Sequence, residues 1–249
     1  MSRVPCPKAK KSELISAYYS NFYIPLMTQL SCALNGKPVN NITASLFFAI
    51  EKHIIESGQG EDKNSFETIK KRLSKPPVLN AKEFAEECIY VILAGGFRQK
   101  IAKKKFGEIM DFINRGGEVC EKNLLPIFGN INKIRAIVKI WTNREKYRDG
   151  FYEKNEKLQY LAKLPHIGEI TKNHLARNLG ISNVKYDVWI QRLGIVLGKS
   201  DLQAGFPLNE EVKKLCDKMF AQIERETGLN KGYIDVVLWK ACQVGILYI

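Results

Sequence analysis

The sequence has few histidines and no cysteines at the spacing of a metal site. Its six cysteines, at positions 6, 32, 88, 120, 216 and 242, form no CxxC pair or Cys/His cluster, and only three histidines occur in 249 residues. Neither a zinc site nor a disulfide framework is therefore indicated. We interpret the cysteines as reduced thiols that are mostly buried.

Long apolar runs are also missing. The longest, such as 45–50 and 89–94, fall far short of the roughly 20 residues that a membrane-spanning helix needs. The basic N-terminus is not followed by the apolar region of a signal peptide. We therefore expect a cytoplasmic protein, associated with the nucleoid if it is prokaryotic, and no membrane partner.

Acidic residues are outnumbered by basic ones. The chain has 39 Lys and Arg against 26 Asp and Glu, a formal net charge of +13. The basic residues are spread over the segments 8–11, 70–73, 98–105, 133–139 and 144–148. This distribution favours a polyanionic partner such as a nucleic acid, and a generally basic, soluble surface is the alternative interpretation.

The apolar residues recur at helical spacing, and no segment sustains the alternation of a strand. The sequence therefore predicts an all-α protein. A length of 249 residues with 45% hydrophobic residues provides a core for one large domain or two interlocked lobes. We divide the chain into a flexible basic tail (1–11), a helical N-terminal region (12–79) whose first helix begins at Ser12, and a core (80–249).

The stretch from 158 to 179 has the pattern of a helix-hairpin-helix. Apolar positions from Leu158 to Pro165 predict one helix, His166-Ile167-Gly168 a tight turn, and 170–179 a second helix. A glycine lets the backbone approach a ligand, and the start of a helix leaves N–H donors unpaired at the positive end of its dipole. Such a turn suits a phosphate.

An aspartate follows the hairpin at the start of another predicted helix. Gly180 ends the second hairpin helix, and Asp187 stands where an N-cap is expected, before the apolar positions of 188–193. Asp187 is nineteen positions after Gly168. A helix cap alone is one interpretation of this residue.

This order of parts, with the Asp at that spacing, resembles the helix-hairpin-helix (HhH-GPD) DNA glycosylase superfamily, whose members include endonuclease III. The resemblance covers 80–249, with the hairpin at 158–179, a catalytic loop at 180–194 and C-terminal helices at 208–249. It implies a two-lobed helical fold, Asp187 as the catalytic carboxylate, and a monomer that binds double-stranded DNA.

The resemblance also implies which residues contact DNA. Asn130 occupies the position from which relatives fill the gap left by an extruded nucleotide, although it is equally typical of an ordinary turn. The implied DNA-binding residues are Pro165, His166, Ile167, Gly168, Ile170, Thr171 and Lys172 in the hairpin, and Arg98, Gln99, Lys100, Asn130 and Lys133 before it. The aromatic residues that could stack on an extruded base, although such residues are usually core, are Phe97, Trp141, Tyr147, Tyr186 and Trp189.

The sequence departs from the family pattern in three places. The cysteines of the iron–sulfur cluster are missing, so no such cofactor is expected, while a monovalent cation at the hairpin is left open. His166 stands where relatives usually carry a glycine. Ile170 stands where bifunctional relatives carry the lysine that forms a Schiff base. Lys172 lies about 200° around the helix from Ile170.

Excision of a base requires its extrusion, a pocket, and stabilisation of the positive charge that develops on the sugar. A carboxylate beside the sugar supplies the stabilisation and can orient a water molecule. We therefore predict a monofunctional DNA glycosylase that hydrolyses the N-glycosidic bond of a damaged or modified base, with Asp187 as the catalytic carboxylate. The alternatives are a bifunctional glycosylase/lyase with a displaced lysine and a non-enzymatic protein that binds DNA structure.

Overall fold

The computed structural model describes residues 32–34, 37–58 and 61–249. Within these ranges the chain forms twelve α-helices and three short strands. The predicted basic tail and the predicted first helix from Ser12 lie outside the described residues.

The helices follow one another through short connections. They are α1 (Ala44–Ser57), α2 (Glu61–Ser74), α3 (Ala81–Ala94), α4 (Gln99–Asn114), α5 (Glu121–Leu124), α6 (Ile131–Thr142), α7 (Arg144–Glu153), α8 (Lys157–Ala162), α9 (Thr171–Asn178), α10 (Val188–Leu197), α11 (Glu210–Thr227) and α12 (Lys231–Gln243).

A small antiparallel sheet accompanies the helices. Its strands are β1 (Cys32–Leu34), β2 (Lys37–Val39) and β3 (Leu247–Tyr248), in the order β2-β1-β3. Strands of two or three residues are too short to show alternation in the sequence, so the sheet was not predicted. The helical fold class is confirmed.

Side chains fix where several helices begin. The amide of Glu83 donates to Asn80 Oδ1 at 3.0 Å, and the amide of Asn80 donates to Glu83 Oε2 at 2.8 Å, which forms a capping box at α3. Asn209 and Asn230 cap α11 and α12 with their side-chain oxygens. Gly228 ends α11 with φ 69°, a conformation that favours glycine.

The helices pack around two hydrophobic cores, which define two lobes. The first lobe consists of α1, α2, α10, α11 and α12, and its core includes Phe47, Ile50, Ile54, Phe66, Ile190, Leu193, Phe220 and Tyr233. The second lobe consists of α3 to α9, and its core includes Phe84, Ile89, Ile92, Ile109, Ile134, Ile137, Phe151, Leu161 and Leu175. The predicted two-lobed architecture is confirmed.

A polar network connects α2 in the first lobe to the end of α9 in the second. Arg72 Nη1 donates to Glu87 Oε1 at 2.6 Å and to the carbonyl of Asn178 at 3.1 Å. The side-chain Nδ2 of Asn178 in turn donates to Glu87 Oε2 at 3.0 Å. At Gly180, which has φ 84°, an added Cβ would lie 2.7 Å from the carbonyl oxygen of Arg72. The backbone of α2 therefore lies directly against the end of the hairpin.

Three cysteines, Cys88, Cys216 and Cys242, are buried and outside disulfides. Over the described ranges, no three or more His, Cys, Asp or Glu side chains are grouped so that they could hold a metal ion. None of the helices in these ranges has both the length and the apolar character needed to cross a membrane.

Candidate active site

The helix-hairpin-helix consists of α8, the turn at 163–170 and α9. The left-handed residue of its turn is His166, with φ 61°. This conformation costs a residue with a side chain more than it costs glycine. The amide of Gly168 donates to Thr171 Oγ1 at 2.7 Å, so it is engaged within the turn.

Backbone amides are open where α9 begins. In the part of the chain that the structure describes, the N–H groups of Glu169, Ile170 and Thr171 have no acceptor, and the first amide of α9 that is paired is that of Lys172, which donates to the Gly168 carbonyl at 2.9 Å. The ammonium of Lys172 pairs with the exposed carboxylate of Glu169. Open donors at the positive end of a helix dipole form a binding site for an anion such as phosphate.

Asp187 caps α10, as the sequence predicts. Its Oδ1 accepts hydrogen bonds from the amides of Trp189 at 3.1 Å and Ile190 at 3.3 Å. Its Oδ2 lies 3.4 Å from the ammonium nitrogen of Lys185. One carboxylate oxygen therefore holds the helix, while the other faces a lysine that the sequence analysis did not single out.

Side-chain amides hold the loop that precedes Asp187. Asn183 Nδ2 donates to Asn173 Oδ1 at 2.6 Å, and Asn173 Nδ2 donates to the Glu169 carbonyl at 3.0 Å. On the other side of the loop, the fully buried Gln191 donates to the Tyr186 carbonyl at 2.9 Å. These bonds connect the hairpin of the second lobe to α10 of the first lobe.

A buried ion pair lies close to Asp187. Arg177 of α9 donates through Nη1 to Asp235 Oδ2 of α12 at 2.6 Å, and Asp235 is 1% exposed. Within the described residues, Asp235 Oδ1 and Arg177 Nε are buried without a hydrogen-bond partner. One turn further along α12, the ring of Trp239 lies 5.8 Å from Lys185 Nζ.

Burial shifts the pKa values of Asp235 and of the neighbouring His174. Desolvation raises the pKa of Asp235 to about 7, Arg177 opposes the rise, and the negative charge of Asp187 adds to it. Desolvation lowers the pKa of His174 well below its ordinary value, and the charges of Arg177 and Lys185 lower it further. His174 is therefore neutral at pH 7.

A cleft of about 1150 Å³ opens between the hairpin and α11. Asp187 is outside its lining, although Val184 and Tyr186 are part of it, and the Tyr186 hydroxyl donates to the carboxylate of Asp217. The predicted site residues that line the cleft are His166, Gly168, Ile170, Thr171, Lys172 and Tyr186.

The remaining predicted DNA-binding residues before the hairpin lie in the second lobe. Arg98 and Lys100 are exposed at the start of α4, and Gln99 is half-buried. Asn130 caps α6, because its Oδ1 accepts from the amide of Lys133 at 3.1 Å. In the hairpin itself, Pro165 is half-buried and Ile167 is buried.

Lys133, which the sequence analysis assigns to the DNA backbone, is buried in this structure. The residue is 4% exposed, and its ammonium donates to the carbonyls of Leu93, at 3.3 Å, and Gly95. The ammonium also lies 4.5 Å from the ring centroid of Phe97. Burial lowers its pKa to about 8. Lys133 therefore stabilises the end of α3 and the loop between α3 and α4 through hydrogen bonds to backbone carbonyls.

The aromatic candidates lie in different surroundings. Phe97 is 40% exposed and packs edge-on against Phe128, with ring centroids 5.4 Å apart. Trp189 is 36% exposed, beside Arg192. Trp141 and Tyr147 are half-buried at the edge of the second core. Of the five candidates, Tyr186 alone lines the cleft.

The comparisons with known proteins bear on the fold. Neither the protein-family models nor the curated proteins include a match to this sequence. One similar solved structure is the 8-oxoguanine glycosylase/lyase of Methanocaldococcus jannaschii with a 15mer DNA containing 8-oxoguanine, at 17% identity and a TM-score of 0.58 over 80% of this chain and 98% of that chain. Another is the 8-oxoguanine DNA glycosylase of Thermotoga maritima, at 15% identity and a TM-score of 0.59 over 80% of this chain and 96% of that chain. This chain shares their helical fold.

Proposed function

We propose that the chain is a DNA glycosylase that flips a damaged or modified base out of double-stranded DNA and breaks its N-glycosidic bond. The observation that carries the proposal is the position of Asp187. Its loop is bonded through Asn183 and Asn173 to the hairpin, where open amides can hold a phosphate. A carboxylate held in a set geometry relative to a phosphate anchor can act on the sugar of one nucleotide.

Each part of the site has a role in this reaction. The amides at the start of α9 bind a backbone phosphate whatever the base sequence. Asp187 stabilises the positive charge that develops on the sugar as the bond to the base breaks. The space between the lobes receives the extruded base. The net charge of +13 supports DNA as the partner.

Two groups are candidates for the nucleophile that attacks the sugar. Ile170 supplies no amine, so in the simplest form of the proposal water attacks the sugar and Asp187 orients it. This is the monofunctional route predicted from the sequence, carried out by a monomer without a cofactor. Lys185, 3.4 Å from Asp187, is the other candidate.

The choice of a first substrate follows from the two similar structures. Both are 8-oxoguanine glycosylases, so 8-oxoguanine is the first lesion to test. Duplexes that carry one oxidised, alkylated, deaminated or hypermodified base are incubated with the protein and then treated with alkali. Alkali-labile breaks at the lesion support the proposal. Tight binding to every duplex with no abasic product supports the non-enzymatic alternative instead.

A further inference from the structure

Lys185 directs its amine at the free oxygen of the proposed catalytic carboxylate. Lys185 Nζ and Asp187 Oδ2 are 3.4 Å apart, and the two side chains are 24% and 15% exposed. Because Oδ1 is used by the amides of α10, Oδ2 is the oxygen left to act on a sugar. Any sugar that contacts Oδ2 therefore lies close to the amine of Lys185.

The backbone of Lys185 is held beside Asp187 and Asp235. Its carbonyl accepts from the Asp187 amide at 2.6 Å, and its own N–H faces the carboxylate of Asp235. The Trp239 ring lies 5.8 Å from the amine. The Lys185 side chain can still rotate, and it is long enough for the amine to turn from the carboxylate to a sugar beside it.

A permanently charged ammonium at this place would oppose excision by water. The sugar becomes positive as the base leaves, and a like charge a few ångströms away destabilises that state in a partly buried site. The same group in its neutral form has a lone pair and can attack the electrophilic carbon. Asp187 is the adjacent group that can take the ammonium proton as the amine attacks.

Other amines near the hairpin are placed differently. Lys172 pairs with Glu169 on the exposed side of the turn, and Ile170 has no amine. Across the described ranges, Lys185 is the basic residue that forms an ion pair with Asp187.

We propose that Lys185 is the nucleophile that attacks the sugar C1′, so that the protein cleaves the DNA strand in addition to removing the base. The inference rests on the proposed function, because it assigns the attacking group of the same reaction. It replaces water with an amine supplied two residues before the catalytic carboxylate.

The proposed reaction needs no reactant other than DNA and water. The Lys185 ammonium gives a proton to the Asp187 carboxylate, and its lone pair bonds to C1′ as the bond from C1′ to the base breaks. The electron pair leaves with the base, which takes the proton from Asp187. The C1′–O4′ bond then opens, and a proton moves from nitrogen to O4′ to give an imine. Asp187, which is ionised again, takes a proton from C2′, the electron pair of that C–H bond expels the 3′ phosphate, and water later hydrolyses the imine to release the lysine.

Borohydride trapping tests this assignment. The full-length protein is mixed with a duplex carrying a single abasic site, reduced with borohydride, and the covalent adduct is quantified. This substrate needs no base removal, so the outcome does not depend on which base is excised. Variants Lys185→Ala and Lys185→Arg are compared with Lys218→Ala, an exposed lysine on α11. The arginine variant keeps the positive charge beside Asp187 but cannot form a Schiff base.

We expect a trapped adduct in the wild type and in Lys218→Ala, and at least a tenfold loss in both Lys185 variants, with the adduct mapping to the peptide that contains Lys185. Melting temperatures show whether the variants are folded. No adduct in the wild type, or an adduct that persists in folded Lys185→Arg or is lost in Lys172→Ala, overturns the inference. Base excision without an adduct would leave the proposed function intact. A Lys185 adduct without excision of any base in the panel would reject the proposed excision alone.

Discussion

Asn173 and Asn183 join the hairpin to the loop that carries Asp187 through one hydrogen bond of 2.6 Å between their side-chain amides. Asn173 is 9% exposed, and its other side-chain atom donates to the Glu169 carbonyl. This pair connects the start of α9 to the loop before Asp187. If the proposed function is correct, it sets the distance between the proposed phosphate anchor and the proposed catalytic carboxylate.

Replacing Asn173 by leucine should slow excision more than it weakens binding to DNA. The change leaves Asn183 Nδ2 and the Glu169 carbonyl without their partner in a partly buried site, which costs at most about 1–3 kcal/mol per group. We expect the single-turnover rate to fall at least tenfold while affinity for DNA stays within a few-fold. Asn155→Leu, at an exposed position, is the control. Equal losses in rate and affinity would contradict the positioning role.

Asp187→Asn should abolish excision without unfolding the protein. Asparagine caps a helix about as well as aspartate, so the cap of α10 is kept while the negative charge is lost. We expect the single-turnover rate to fall by about a hundredfold or more, a typical loss for one electrostatic group. Asp201→Asn, an exposed carboxylate, controls for the change in net charge. A variant that keeps more than a tenth of the wild-type rate would exclude Asp187 as the catalytic group.

DNA affinity should depend strongly on salt. A groove that contacts five to eight phosphates loses roughly two to four decades of affinity between ~50 and ~200 mM salt, because bound counterions are released. Fluorescence anisotropy with a labelled duplex measures the slope. Lys100→Ala should lower the slope by about one unit, as the loss of one phosphate contact predicts. A nearly flat dependence on salt would indicate a partner other than DNA.

Lys133 should make the protein more stable as the pH rises above 8. Its pKa is lowered by burial from an ordinary value of 10.5 to about 8, so between these values the unfolded chain holds a proton that the folded chain has lost. The free energy of unfolding then increases with pH across this window, by at most about 3 kcal/mol from this residue. Lys133→Met should remove the increase. Chemical denaturation at pH 8 and pH 10.5 compares the two proteins, and equal pH dependence in both would refute the assignment.

His166→Gly should stabilise the protein. His166 has φ 61°, and a left-handed conformation costs a residue with a side chain roughly 1 kcal/mol more than glycine. We expect the free energy of unfolding to rise by up to that amount. His53→Gly is the matched control, because His53 is exposed within α1, where glycine lowers stability by about 1 kcal/mol. A loss of stability at both positions would show that the His166 side chain makes stabilising contacts.

The parts of the site that local sequence determines were predictable. The hairpin turn and the cap at Asp187 depend on residues within a few positions of each other, and the structure has both. The residues that α12 places near Asp187 could not be predicted, because Asp235 and Trp239 lie about fifty positions further along the chain. Their helix is buried on most sides, so its periodicity indicates no single face.

Lys133 shows a different limit of sequence analysis. It belongs to a basic segment, and such segments are usually exposed to solvent. Its position in the structure depends on the carbonyl of Gly95, 38 positions earlier, and on the rings of Phe97 and Phe128. Nothing in its local pattern indicates these partners, since they come together only when α3 and α6 pack.

The two cores differ in how continuous they are along the chain. The second core is formed by a single stretch from Leu79 to Leu179, whereas the first combines residues before position 73 with residues after position 184. The pairing of Leu34 with Leu247 joins positions more than 200 apart. Contacts of such long range form late because the loop between them must first be closed. The hairpin lobe can thus assemble from one continuous stretch during synthesis, while the lobe that holds α10 must wait until α11 and α12 have been synthesised.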